Sequence, residues 1–212
     1  MHEKGPKMPL KPLKNPLKHA NFACFLAILC SCLLWNPAFS ASPEAPETMQ
    51  KLRNGQVVIT DLTRQSAEKT PTVEAQILVP RPIADVRKTV SDPQKIMKNE
   101  KKVKSLKLLS KTGNTQLLEY TVMMGKMLPT FNYILRHQQT TPDNIQFKRV
   151  SGSFKDFEGG WKMTPVDANN TVVTYRLKLD PGPGLPAFLI TSLVKADLPR
   201  MMENAKAAIL SE

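Results

Sequence analysis

The chain has 212 residues, with 30 Lys plus Arg against 18 Asp plus Glu and a net charge of +12. That length allows one domain of ordinary size and a processing segment. All 3 cysteines, Cys24, Cys30 and Cys32, fall in the first forty residues, so the rest of the chain can form no disulfide framework, thiolate metal site or cysteine nucleophile.

The chain opens with Lys4, Lys7, Lys11, Lys14 and Lys18 spaced among prolines, followed by an apolar run from Phe22 to Trp35. The run is shorter than the ~20 residues a membrane-crossing helix needs. Asn36-Pro37 and the small-residue pattern Ala38-Phe39-Ser40 come next, before Ala41. A basic region, a short apolar core and small residues before a cut describe a signal peptide over residues 1–40, hence an exported, periplasmic protein. A membrane tether, through an uncleaved leader or a lipidated Cys32 in Leu29-Cys30-Ser31-Cys32, is the lesser alternative, because Leu33, Leu34 and Trp35 continue the apolar run past that cysteine. The five leader lysines less Glu3 supply +4 of the +12, leaving +8 on the mature part.

Residues 41–71 read as a linker and lead-in. Ala41 to Met49 is rich in Pro, Ser and Glu, and Gln56 to Thr60 is a weak edge strand. A folded domain is expected over residues 72–212. It starts with a strand in which Val73, Ala75, Ile77 and Val79 alternate with a second face, stopped by Pro80 and Pro82. A short helix from Ile83 to Val90 follows, then a second turn or short helix through Met97, begun by Asp92 as cap and Pro93 at the first helical position. Six strands are predicted next: 102–109, 116–124, 131–139, 145–150, 153–164 and 171–180. Turns fall at Gly113-Asn114, Pro142-Asp143-Asn144 and Asn169-Asn170. Short connections and one-sided apolar alternation favour an antiparallel meander.

Pro181-Gly182-Pro183-Gly184 ends the last strand, and a helix is predicted from Leu185 to Leu210. Phe188, Leu189, Leu193, Ala196, Met202, Ala205 and Ile209 give it one apolar stripe, with Pro199 expected to kink or divide it near Ala196. The fold class is therefore α+β: a curved antiparallel sheet of about seven strands wrapped around a long C-terminal helix, with two short helices after the first strand.

Three segments carry a family resemblance. They are Val79-Pro80-Arg81-Pro82-Ile83 running to Ser91-Asp92, the stretch Ser151-Gly152-Ser153-Phe154-Lys155-Asp156-Phe157-Glu158-Gly159-Gly160-Trp161, and Tyr175-Arg176-Leu177 through Leu185-Pro186 into the long helix. In these the chain resembles the START-like (SRPBCC) superfamily, in its polyketide cyclase/dehydrase and ubiquinone-binding, lipid-transport branch. The resemblance implies a helix-grip fold with a cavity between sheet and helix for a lipid, quinone or similar hydrophobic molecule. Many such members bind or transfer without chemistry, and a few are aromatases or cyclases.

The residues themselves offer little chemistry. His137 is the one histidine after the leader, sharing a strand face with Phe131, Tyr133 and Leu135. No nucleophile elbow or phosphate-cradling glycine loop occurs. No catalytic residue, metal ligand or cofactor is assigned, and the protein is expected to bind rather than catalyse. The expected ligand-binding residues are Tyr120 and Met124, Phe131, Tyr133 and His137, and Phe147, Trp161, Met163 and Tyr175 on the strands. On the helix they are Phe188, Leu189, Leu193 and Met202. Met plus aromatics with polar tips suits an adaptable apolar pocket, and Tyr133, Tyr175 or His137 could supply its polar anchor. The loop 125–130 and the hinge 181–186 are expected to border the mouth. Two other readings stay open: a cyclase-like or hydrolytic enzyme using the same cavity, or a protein-binding accessory module whose cavity is filled. The lysine run from Lys95 to Lys111 would suit an anionic membrane surface. It lacks aromatics for base stacking, so nucleic acid is not expected as a partner, and a monomer is.

Overall fold

The computed structural model describes residues 45–65, 70–125, 128–183 and 186–212, all within the unit Ser42–Glu212. The signal-peptide and Cys32 readings lie outside them, as do residues 126–127 and 184–185 of the two expected mouth segments.

The N-terminal lead-in is more ordered than its composition suggests. Helix α1 (Pro46–Arg53) begins inside the expected linker, with Pro46 in its first turn, and leads to strand β1 (Val58–Asp61). Proline at a helix start costs no needed N–H, which is why a Pro-rich stretch can open a helix. A single 3-10 turn, Thr63–Gln65, follows.

Strand β2 (Thr72–Val79) is halted by its prolines, and α2 (Ile83–Val90) buries Val86, Thr89 and Val90. Helix α3 (Pro93–Ile96) is capped by the Asp92 carboxylate, which accepts the backbone N–H groups of Gln94 and Lys95. The meander is β3 (Val103–Thr112), β4 (Thr115–Met123), β5 (Thr130–Thr141), β6 (Asn144–Gly152), β7 (Asp156–Asp167) and β8 (Asn170–Asp180). With β1 they form an eight-stranded sheet in the order β1-β2-β8-β7-β6-β5-β4-β3, and every pairing is antiparallel. The count exceeds the seven foreseen because β1 adds to the β2 edge.

Alternation is clearest in the centre. Phe131, Tyr133, Leu135 and His137 of β5 are buried, whereas Asn132, Arg136 and Gln138 are exposed. Strand β7 starts at Asp156 rather than Ser153. Ser153 is held instead by its N–H to the Asn132 carbonyl (2.8 Å), and Lys155 N–H donates to the Asp180 carbonyl (2.9 Å). Between these anchors Phe154 turns inward and is 3% exposed.

Helix α4 (Ala187–Leu210) runs unbroken through Pro199, so the expected division does not occur. It lies on β2, with further contact to β1, α2 and α3. Its buried line is Ile190, Val194, Leu198, Met202, Ala205 and Ile209. That corrects the expected stripe: Ala196 is exposed, Leu189 and Leu193 are half-buried, and Phe188 stands 74% exposed. The first half of α4 is apolar on more than one side, so the period alone does not select the buried face; beyond Pro199 one side is polar and the reading holds. Among the described residues no helix is long and apolar enough to cross a membrane.

Candidate functional site

Sheet register explains why the aromatics meet. Tyr120 of β4 sits opposite Tyr133 of β5, His137 opposite Phe147 of β6, and Trp161 of β7 opposite Tyr175 of β8. Cross-strand partners on one face stand close enough for ring contact. The rings of Tyr120 and Tyr133 stack at 5.4 Å, Tyr120 and His137 at 6.0 Å, and Trp161 packs on Tyr175 at 4.6 Å. Phe147 links the rows, reaching His137 at 5.4 Å and Tyr175 at 5.7 Å.

Two glycines make the band possible. Gly152 lies opposite Tyr133 at φ +116°, and a Cβ there would come within 2.4 Å of the Tyr133 Cα. Gly159 lies opposite Phe147, and its absent Cβ would meet the Phe147 ring at 2.7 Å. Side chains on neighbouring strands lean over these gaps: Tyr133 reaches Phe157 at 5.0 Å and Phe154 at 5.3 Å.

The aromatic band is polar at a few points and carries no ionised side chain. The Tyr120 hydroxyl and His137 Nε2 share a hydrogen bond at 3.1 Å. Burial lowers the His137 pKa to about 4, so the ring is neutral at pH 7. Burial pushes the phenols of Tyr120, Tyr133 and Tyr175 well above their ordinary value, which keeps all three protonated as donors. Among the described residues no hydrogen-bond partner meets the Tyr133 or Tyr175 hydroxyl. Neither is among the fully enclosed unpaired polar atoms, and the two residues keep 8% and 6% of their surface open. No group of three His, Cys, Asp or Glu among the described residues could hold a metal ion. Asp156 and Glu158, which flank Phe157, are engaged outside the band: Asp156 accepts the Phe157 N–H at 2.9 Å, and Glu158 pairs with Lys178 at 3.1 Å.

A family model described as polyketide cyclase / dehydrase and lipid transport matches residues 70–209. The chain belongs to this family. A search of curated proteins by sequence finds no match. Among solved structures, human STARD10 is similar at TM-score 0.62 and 16% identity, covering 73% of this chain and 69% of that one. A START superfamily protein from Mycobacterium smegmatis gives TM-score 0.59 at 14% identity, covering 66% and 97%. The Zhui aromatase/cyclase from Streptomyces sp. R1128 gives 0.55 at 16% identity, covering 66% and 91%. At these identities the likeness carries the fold, the helix-grip architecture of the START-like superfamily, and the family's description spans both cyclases and lipid transport. Fold alone does not choose between them.

In this polyketide cyclase/lipid transport domain, the structure brings Tyr120, Tyr133, His137, Phe147, Trp161 and Tyr175 together as one band. Phe131 joins through Phe154, stacked at 4.9 Å. Met163 and Met202 are buried in the same core, and Met124 is half-buried at its edge. Leu189 and Leu193 flank the buried line of α4, and Phe188 faces away from the core. Phe154 and Phe157 were missed as site residues; their signal was a pair of aromatics either side of a polar turn, between two strands already rich in rings.

Proposed function

We propose that the protein holds a hydrophobic small molecule, of the lipid or quinone kind, against the aromatic face of β4–β8 beneath α4. The observation that carries this reading is the pair of phenol donors, Tyr133 and Tyr175, which meet no protein acceptor among the described residues on a largely apolar face. Both hydroxyls stay open to solvent, and a ligand carbonyl or ether oxygen can accept from them in place of water. The contact line of α4 on β2 supports it too. The sheet returns to the helix at its other end, where Lys102, bonded to the Met124 carbonyl just past β4, pairs with Asp197, so the aromatic rows lie between the two places where α4 is held. Burying eight methylenes there would contribute roughly 6 kcal/mol before ordering costs. Burial leaves His137 a weak base, and its partner is a phenol rather than a carboxylate, which favours carriage over conversion.

The basic stretch 4–18, the apolar run 22–35 and Ala38-Phe39-Ser40 support the further reading that the protein works after export, in a periplasm-like compartment. N-terminal sequencing of protein recovered from fractionated cells tests this, with Ala41 as the expected first residue.

The binding reading is tested by native mass spectrometry and solvent extraction of protein purified from its source. A stoichiometric hydrophobic molecule is expected. Replacing both phenols (Tyr133→Phe, Tyr175→Phe) should leave a Nile red probe bound while weakening a carbonyl-bearing ligand by about ten-fold or more. A compact protein that yields no such molecule and takes up no apolar probe would refute the reading.

A further inference from the structure

Among the described residues strand β3 ends the sheet, and one of its backbone edges is unpaired. An open edge invites another strand, and lysines along it are a common protection. Lysine protection alone does not explain what else stands here. Leu108 and Leu109 are 46% and 49% exposed, two of the five large apolar side chains that stand exposed among the described residues. They are neighbours in sequence, with Lys107 before them and Lys111 two residues after. The register slips between Leu108 and Ser110, so Leu109 has no partner on β4 and the two leucines do not alternate as strand residues would.

The lysine run divides into two parts. Lys95 pairs with Glu212, and Lys102 with Asp197, so these two fasten α4. Glu100, the run's single acid, is 9% exposed and faces Arg200 and Asn204. Lys98, Lys101, Lys104, Lys107 and Lys111 remain exposed. Of these, among the described residues, only Lys107 has a carboxylate nearby, Glu119 at 3.6 Å.

We propose that the β3 edge, Lys98 to Lys111 with Leu108 and Leu109 at its centre, docks the protein on an anionic lipid bilayer. The charge selects an acidic surface, and the adjacent leucines select one with an apolar layer beneath the headgroups. Nucleic acid offers no such layer, and the strand presents no ring for base stacking. A second copy would set the same lysines against each other. The inference does not depend on what the interior holds, so it can fail while the binding reading stands.

The test is vesicle flotation, run with the full chain and with the compact unit Ser42–Glu212, which lacks the apolar leader. Vesicles of mixed phosphatidylglycerol and phosphatidylcholine are compared with phosphatidylcholine alone. Binding to the acidic vesicles only is expected, and it should fall steeply with added salt. Each lysine near such a surface is worth about a five-fold change in affinity, so reversing three of them (Lys104→Glu, Lys107→Glu, Lys111→Glu) should weaken binding at least a hundred-fold. The matching Lys→Arg triple should bind as wild type, which separates loss of charge from loss of fold. Leu108→Ser with Leu109→Ser should weaken binding while keeping its salt dependence. Equal binding to both vesicle types, no binding to either by the unit Ser42–Glu212, wild-type binding by the Glu triple, or self-association abolished by that triple would each overturn the proposal.

Discussion

His137 is a titratable base that the fold keeps uncharged. Its pKa in the folded chain is about 4, against an ordinary ~6.5 when unfolded. Between those values the unfolded chain binds a proton that the folded chain refuses. Stability therefore rises with pH across this window and falls as pH drops from about 6.5 toward 4, by up to roughly 3 kcal/mol over the full shift. The paired carboxylates act lower. A hydrogen bond from Lys195 holds Asp61 at about 2, and the Gly182 N–H with Lys155 holds Asp180 below its ordinary range. Urea unfolding at stepped pH should show the histidine slope, and His137→Phe should flatten it. The level of the variant's curve is less informative, because its Tyr120 hydroxyl loses a partner at every pH at a cost of about 1–3 kcal/mol. A variant as acid-sensitive as wild type would assign the slope to another group.

At the scale of an element, β7 shows what its glycines are for. A Cβ on Gly159 would approach the Arg176 carbonyl oxygen to 2.0 Å and the Phe147 ring to 2.7 Å, whereas one on Gly125 would meet nothing within 4 Å. Gly159→Ala should therefore destabilise by about 3 kcal/mol, the upper end of overpacking costs, and displace Phe147 from Tyr175. Gly125→Ala should change little. Thermal unfolding with aromatic-region NMR reads both; a silent Gly159→Ala would mean that the strand pair yields without strain. The Gly-Gly-Trp segment was legible in the sequence as part of a central strand pair, and so were the strands themselves, because one-sided burial writes a two-residue period. The face of α4 was not. Phe188, Leu189, Ile190, Leu193 and Val194 put apolar groups on several sides of one helix, and only packing against β2 decides that Ile190 and Val194 go inward. Phe154 was hidden for a different reason: its inward turn depends on Ser153 and Lys155 being held by Asn132 and Asp180, contacts 21 and 25 residues away in sequence (153 − 132 and 180 − 155). The ring band was half legible. Alternation put Tyr120, Phe131, Tyr133 and Tyr175 on the buried face, but which rings touch is set by register.

Across the whole molecule, α4 is fastened unevenly. Lys195 pairs with Asp61 of β1, Asp197 with Lys102, and Arg200 with Glu100 at 3.3 Å. Asn204 donates to the Asn99 carbonyl at 3.2 Å, Arg81 donates to the Leu210 carbonyl at 3.2 Å, and Glu212 pairs with Lys95. Among the described residues the ion pairs of α4 lie from Lys195 onward, whereas the first turns carry the exposed Phe188 and the half-buried Leu189 and Leu193. Pro199 removes one N–H donor near the middle of the helix, leaving the Lys195 carbonyl without its intrahelical bond. Local opening is easiest where buried contacts and ties are fewest. Amides of residues 188–194 should then exchange with solvent at least ten-fold faster than those of 202–209, and a bound hydrophobic molecule should slow the first group while leaving the second nearly unchanged. That pattern follows only if the helix opens from its N-terminal end while its C-terminal half stays pinned to Glu100 and Lys102. Equal protection along α4, unaltered by ligand, would mean that the helix moves as one piece and that any ligand enters by another route.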